Sequence, residues 1–172
     1  ALSTAIAYDR AVGFFSAAML SYAAQGLSRF VSHSGKIRLL IGEPLSSEEY
    51  DAVKRGLELK DIEERIDEKM QSILRHADSL LLKQRLELLS WLVAAGRLDI
   101  RFALTDRGMF HEKMGVLTDE EGDRIVFQGS ANETTAALLP DFNFESIAIY
   151  PSWRPEIFEA YAIPYINRFE LI

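Results

Sequence analysis

The sequence predicts an α/β fold in which a mixed β-sheet carries helices on both of its faces. Short apolar segments, typical of buried strands, alternate with segments whose apolar residues recur at helical spacing. The resulting order of elements is β-α-β-α-α-β-β-β-α-β-α. The sequence contains no internal repeat and no Pro- or Gly-rich linker, and its 172 residues suffice to bury one substantial core. A single domain over residues 1–172 is therefore expected.

Strands are predicted where short apolar runs are bounded by Gly, Ser or acidic residues. One neighbouring pair of runs flanks the acidic turn 119–123 and is expected to form a hairpin. The predicted strands are residues 5–15, 36–41, 98–104, 110–117, 124–127 and 144–150.

Helices are predicted where apolar residues recur every three or four positions. Ser46 and Glu49 have the spacing of a capping box, which marks a helix start. Gly96 and Pro140 mark helix ends, and Trp153 is expected in the core. The predicted helices are residues 16–31, a helix that starts near residue 46, residues 61–95, residues 132–139 and a last helix that starts near 153–155.

Composition points to a cytoplasmic protein without a membrane segment. The absence of cysteine excludes disulfides and Cys-ligated zinc, and three scattered histidines are too few for a dedicated metal site. Eighteen uncharged residues lie between Arg10 and Arg29, which is close to the length of a membrane span. Serine, glutamine and glycine dilute this stretch, so a buried strand that leads into a buried helix is the better interpretation.

The net charge of −7 argues at first against a nucleic-acid partner. However, residues 43–69 carry ten acidic and five basic side chains, so that segment alone contributes −5. A locally positive cleft elsewhere is compatible with this distribution.

The most informative residues are His111 and Lys113, followed by residues 129–132 (Gly-Ser-Ala-Asn) and by Glu145. Side chains two positions apart on a strand project to the same face, so the predicted strand would put histidine beside lysine. A phosphodiester can be attacked by an imidazole, while an adjacent ammonium offsets the charge that builds on the phosphate oxygens.

These motifs resemble the signature of the phospholipase D superfamily, H-x-K followed by G-S-x-N. The similarity is greatest to the nuclease-like branch found at the N-terminus of DEAD/DEAH-type helicases and in some restriction endonucleases. The superfamily's aspartate five residues after the lysine is replaced here by Thr118, with Asp119 one step later, which favours a nuclease over a lipid-cleaving enzyme. The stretches that carry the resemblance are residues 8–16, 110–113, 119–123, 129–134 and 143–146.

The resemblance implies a role for each candidate catalytic residue. His111 would attack phosphorus and form a phosphohistidine intermediate. Lys113 and Asn132 would hold the non-bridging oxygens. Glu145, in place of the missing aspartate, would bond the far ring nitrogen of His111 and fix its tautomer. Neither a metal nor another cofactor is implied.

Gly129 and Ser130 are expected to bind substrate, with Ser130 as a supporting donor. An alternative stays open, because Ser130 and Glu133 have capping-box spacing and either Ser130 or Asn132 could be a helix cap. The two interpretations are compatible, since a helix N-terminus also favours phosphate.

Members of the family complete the site with two such motifs, and this chain contains one. The resemblance therefore implies a homodimer in which both His111 side chains meet at the interface. DNA or another nucleic acid is the expected substrate, and the chain, which begins without Met, is expected to be a module linked to a helicase or specificity domain. The alternatives are a catalytically idle nucleic-acid-binding or dimerisation module and a phosphodiesterase that acts on lipid head groups.

Overall fold

The computed structural model describes residues 1–59, 66–75, 82–132 and 145–172. The strands in these ranges are β1 Ala5–Val12, β2 Lys36–Ile41, β3 Leu98–Phe102, β4 Met114–Asp119, β5 Arg124–Gly129 and β6 Ile147–Pro151. They form one sheet in the order β3-β2-β1-β4-β5-β6.

Strand β1 lies near the centre of the sheet, where the parallel part of the sheet meets the antiparallel part. It pairs in parallel with β2, with Val12 opposite Ile41, and β2 pairs in parallel with β3. On its other side it pairs antiparallel with β4, with Ala11 opposite Met114, and β4, β5 and β6 continue antiparallel. The C-terminal ends of β1, β2 and β5 and the N-terminal ends of β4 and β6 therefore share one edge of the sheet, which we call the site edge.

Helices cover both faces of the sheet. Ile37, Leu39 and Ile41 belong to a core cluster shared with the helices that precede β3, whereas Leu40 belongs to a second cluster shared with the C-terminal helices. This two-sided burial explains why three consecutive residues at the end of β2, 39–41, are apolar. Helices on both faces of a mixed sheet confirm the predicted fold class. The helices are α1 Met19–Tyr22, α2 Ala24–Ser32, α3 Ser47–Leu59, α4 Ile66–Leu74, α5 Leu82–Ala94, α6 Pro155–Ile157, a π-helical turn Phe158–Ala162 and α7 Ile163–Glu170.

The capping box predicted at the start of α3 is confirmed. The Glu49 backbone N–H donates to Ser46 Oγ at 3.2 Å, and the Ser46 N–H donates to Glu49 Oε2 at 3.1 Å. The second carboxylate oxygen of Glu49 accepts a hydrogen bond from the Ala17 N–H at 2.6 Å. One buried glutamate thus caps α3 and ties it to the segment that follows β1.

Several predicted bounds in the first half of the chain are wrong. Strand β1 ends at Val12 rather than at residue 15, and the helix predicted over 16–31 is two helices, α1 and α2, separated at Ala23. Helix α4 packs against α5, so the span 61–95 is not one continuous helix. Residues 60–65 and 76–81 of that region lie outside the described residues.

Other predictions in the second half change where the site residues lie. His111 and Lys113 precede β4 and Glu145 precedes β6, so none of the three is on a strand. Trp153 is 58% exposed rather than part of the core. Most of the predicted helix 132–139, together with residues 143 and 144, lies outside the described residues.

Candidate active site

Four chain segments meet at the site edge. They are the residues after β1 (Gly13 and Phe14), the residues before β4 (111–113), the residues after β5 (130–132) and Glu145 before β6. Because antiparallel pairing alternates strand direction, the end of β5 and the start of β4 are brought together, and the Gly129 N–H donates to the Lys113 carbonyl at 3.0 Å. The sheet thus gathers the residues that the sequence singled out.

His111 is exposed to solvent and lies against the chain that follows β1. A Cβ placed on Gly13 would lie only 2.8 Å from His111 Cδ2 and 3.4 Å from Asn132 Oδ1. Glycine at position 13 therefore lets the imidazole and the amide approach one another across the backbone. The Phe14 ring meets the imidazole edge-on, with their centroids 6.4 Å apart.

Gly42, at the end of β2, supports the segment that carries His111. A Cβ at Gly42 would lie 2.1 Å from the Phe110 carbonyl oxygen. The Gly42 N–H donates to the Val12 carbonyl at 3.0 Å. The hydrogen-bonded ends of β1 and β2 therefore pack together against the backbone of Phe110. Close backbone packing at this glycine fixes where the chain leads into His111.

Lys113 is buried, at 9% relative exposure. Its Nζ donates to the His111 carbonyl oxygen at 3.0 Å, which holds the ammonium beside the backbone of the proposed nucleophile. Burial lowers the pKa of Lys113, the positive charge of Arg10 lowers it further, and the negative charge of Glu145 opposes both effects. One like charge and one opposite charge thus act on the ammonium.

Asn132 is anchored by its side-chain oxygen. The Phe14 N–H donates to Asn132 Oδ1 at 3.1 Å. Because an amide has one acceptor end and one donor end, this bond leaves the NH₂ end to serve as a donor. Among the described residues none accepts a hydrogen bond from that group, and an anionic oxygen is a suitable acceptor.

Ser130 and Gly129 connect β5 to the start of β6. The Ser130 hydroxyl donates to the Glu145 carboxylate, and the same oxygen accepts a hydrogen bond from the Ser146 N–H at 3.0 Å. A Cβ at Gly129 would lie 2.0 Å from the Ser146 carbonyl oxygen, so glycine is required for this close packing. Both residues thus have a structural role here, and their binding of substrate stays a prediction.

Glu145 is joined to Ser130, whereas the sequence predicted a bond to the far ring nitrogen of His111. Its negative charge also acts on Lys113. Glu145 therefore belongs to the site, and its role in fixing the His111 tautomer stays a prediction. Asp119, the other acid considered from the sequence, lies at the opposite end of β4, where its carboxylate accepts the Asp123 N–H at 2.8 Å within the hairpin turn.

Arg10 is a site residue that the sequence prediction missed. It lies on β1, is 3% exposed, and its Nη2 donates to the Ala131 carbonyl at 2.7 Å. The guanidinium also lies over the Phe127 ring, 5.2 Å from the centroid. Arg10 alternates with Tyr8 and Val12 on one face of β1, and an arginine on such a face is the signal that could have found it, because a buried cation requires partners.

Within the described ranges, no three or more His, Asp or Glu side chains are grouped as metal ligands would be. None of the helices in the same ranges combines the length and apolar character that a membrane span requires.

Neither a family model nor a curated protein matches the sequence. Two solved structures of mutant yeast tyrosyl-DNA phosphodiesterase are similar to the chain. One has a TM-score of 0.44 and 9% identity over 86% of this chain and 24% of that chain. The other has a TM-score of 0.45 and 9% identity over 86% of this chain and 25% of that chain. The chain thus spans about a quarter of those proteins, and at this level of likeness the proposal of a function rests on the geometry of the site.

Proposed function

We propose that the chain is a metal-independent phosphodiesterase, a nuclease that acts on DNA through a phosphohistidine intermediate in a homodimeric site. The observation that carries the proposal is the packing at Gly13, where a Cβ would meet both His111 Cδ2 and Asn132 Oδ1. It puts a solvent-exposed imidazole beside an anchored amide, next to a buried ammonium. Nucleophile, hydrogen-bond donor and cation are the three groups that attack on a phosphodiester requires.

In the first step, a ring nitrogen of His111 attacks phosphorus and the bond from phosphorus to the leaving oxygen breaks. Lys113 and the Asn132 NH₂ group hold the non-bridging oxygens, where negative charge builds up in the transition state. The leaving oxygen takes a proton from a general acid, which we assign to the His111 side chain of a second copy of the chain.

In the second step, water attacks the phosphohistidine and the bond between phosphorus and nitrogen breaks. The second His111 takes a proton from that water, because it gave up its own proton in the first step. The products are a phosphomonoester and an alcohol, and both imidazoles return to their starting states. A two-fold dimer is required, because one chain supplies one such histidine.

The exposed Phe14 ring supports a nucleic-acid substrate. Phe14 is 40% exposed and touches His111, so a nucleobase next to the scissile phosphate has an aromatic face on which to stack. A linked helicase or restriction-type specificity domain in the parent protein belongs to the same proposal, because specificity is commonly supplied by base contacts outside a catalytic domain.

Incubation of the chain with plasmid DNA and with bis(p-nitrophenyl) phosphate in EDTA tests the activity. We expect cleavage of both, abolished by His111→Ala and retained by His33→Ala. The matched control removes an exposed histidine at the end of α2, whose Nδ1 lies 2.8 Å from the Arg29 carbonyl oxygen. Quenching the wild type with a denaturant at alkaline pH should trap a base-stable phosphoryl group that acid then releases and that His111→Ala lacks.

Two outcomes would favour the alternatives. DNA binding without cleavage at any pH or salt concentration would indicate an idle binding module. Release of head groups from liposomes, with DNA untouched, would indicate a phosphodiesterase that acts on lipids.

The dimer is tested separately by light scattering and by subunit mixing. We expect the mass of two chains at micromolar concentration, and specific activity that falls on dilution. An excess of His111→Ala chains should inhibit the wild type, because a mixed dimer would contain one His111 side chain instead of two. A fully active monomer would contradict the shared site.

A further inference from the structure

The strongest unassigned feature of the molecule is the buried cation Arg10. It is 3% exposed and lies on β1 between Asp9 and the buried residues Ala11 and Val12. A guanidinium out of contact with solvent stabilises a fold only if other groups compensate its charge. Two of these groups are the Ala131 carbonyl, at 2.7 Å from Nη2, and the face of Phe127.

The carbonyl that Arg10 holds lies directly before Asn132. Ala131 is itself buried, and its peptide group joins the end of β5 to the amide side chain that faces His111. A hydrogen bond at the Ala131 oxygen fixes that peptide plane, and the Phe14 N–H then fixes the Asn132 side chain at 3.1 Å. Both constraints come from β1 and the residues after it, so β1 orients a side chain carried by a different strand.

Arg10 also acts on Lys113. Arg10 is paired across the sheet with Gly115, two residues after Lys113. Burial lowers the pKa of Lys113, the positive charge of Arg10 lowers it further, and Glu145, before β6, acts in the opposite direction. The uncharged His111 carbonyl accepts the Lys113 hydrogen bond. Because Arg10 is too buried to touch a substrate, its charge reaches the site through its neighbours.

We propose that Arg10 is a positioning residue of the hydrolytic site, which holds Asn132 through the Ala131 carbonyl and adds a second positive charge close to the segment that carries Lys113. This inference rests on the proposed function. It predicts that the Asn132 amide and the Lys113 ammonium act as a unit, although Asn132 follows β5 and Lys113 precedes β4.

Kinetics on bis(p-nitrophenyl) phosphate test the inference, with Arg10→Met and Arg10→Lys as variants. Arg10→Met should lower kcat roughly 30- to 100-fold, because a displacement of about 1 Å costs about 100-fold, and the fall in kcat should exceed any rise in KM. Arg10→Lys keeps the charge and loses the planar donor, so a loss of roughly tenfold is expected.

The pH profile and a double mutant separate positioning from a general structural effect. The p-nitrophenolate of this substrate leaves without a proton, so the basic limb of kcat reports the loss of the Lys113 ammonium rather than of the general acid. Without the positive charge of Arg10, the pKa of Lys113 rises, so this limb should move to higher pH in Arg10→Met. In Arg10→Lys the limb should stay near its wild-type position. In an Asn132→Ala background, Arg10→Lys should cost less than about threefold, because residues that act as a unit are non-additive.

Arg38→Met is the matched control. Arg38 is also carried by a strand and lies over a phenylalanine ring, 5.1 Å from the Phe169 centroid, but on the opposite face of the sheet. It should leave kcat and the pH profile unchanged. Circular dichroism reports folding, and if Arg10→Met does not fold, Arg10→Lys with its Asn132→Ala double mutant carries the test alone.

Each result has one meaning. A wild-type chain without activity that depends on His111 would overturn the proposed function. An active wild type in which Arg10→Lys has wild-type kcat, or in which its effect is additive with Asn132→Ala, would overturn the positioning role and leave the proposed function standing.

Discussion

Replacing Gly13 by alanine should displace the proposed nucleophile without unfolding the protein. The new Cβ would lie 2.8 Å from His111 Cδ2, so the ring must retreat by roughly 0.7 Å to restore an ordinary carbon–carbon separation of about 3.5 Å. Since a misplacement of about 1 Å costs about 100-fold in rate, we expect kcat to fall roughly 10- to 100-fold. His111 is exposed and free to move outward, so the free energy of unfolding should change by less than about 1 kcal/mol.

The assay is hydrolysis of bis(p-nitrophenyl) phosphate in EDTA, together with urea unfolding of the same preparations. Gly26→Ala in α2 is the matched control, because the atoms nearest to its Cβ would belong to the Leu2 side chain, at 3.2 Å and beyond, far from His111. That variant should keep wild-type activity. The reasoning is refuted if Gly13→Ala is folded and its kcat lies within twofold of the wild type, since the imidazole would then not act from its observed position.

Three further predictions concern a buried charge, an ion pair and a side-chain hydrogen bond. Lys113→Met should abolish phosphodiester hydrolysis. Burial lowers the pKa of Lys113, so its charge opposes folding at neutral pH. The free energy of unfolding of Lys113→Met, measured by urea titration, should therefore equal that of the wild type or exceed it by up to about 1 kcal/mol. The hydrogen bond from Arg38 lowers the pKa of Glu170 below its ordinary value of 4.5. The pair should therefore stabilise the fold above pH 4.5, and this contribution should be lost as the pH falls through the lowered pKa of Glu170 in the folded protein. The pair is half-exposed, so the effect should be at most about 1 kcal/mol in urea unfolding at pH 7 against pH 3, and Glu170→Gln should remove it. Ser130→Ala removes the hydroxyl that joins the end of β5 to Glu145 and to the Ser146 N–H. It should lower the free energy of unfolding by about 1 kcal/mol. It should reduce the rate of hydrolysis less than Lys113→Met does, measured by the same two assays.

Sequence alone succeeded where the determinants are local. The Ser46–Glu49 capping box is formed by residues three apart, and both of its hydrogen bonds are present. The buried strand β2 was predicted with its observed bounds, because its alternating side chains are buried against helices on both faces. The periodicity of hydrophobic residues therefore carried the fold class.

The sequence-based prediction was wrong where a contact with a residue distant in the chain determines where an element ends. The apolar pattern of β1 continues to Phe15, but the strand ends at Val12, where His111 and Asn132 occupy the space above Gly13. No local pattern could reveal this contact, because it depends on the antiparallel pairing of β1 with β4. The same pairing explains why the sequence could identify His111 but not the surface that supports it.

The acidic net charge and an anion-binding site are compatible because the charges are separated along the chain. Residues 43–69 account for −5 of the total of −7. By contrast, Arg10 and Lys113 are both buried, and Arg10 pairs across the sheet with Gly115, two residues after Lys113. The groups that compensate these two cations include the carbonyls of Ala131 and His111, the Phe127 ring and the carboxylate of Glu145. In the proposed function, a phosphate would lie between His111 and the Asn132 NH₂ group, near Lys113. The transition state carries more charge on its oxygens than the substrate, so such a site would hold the transition state most tightly.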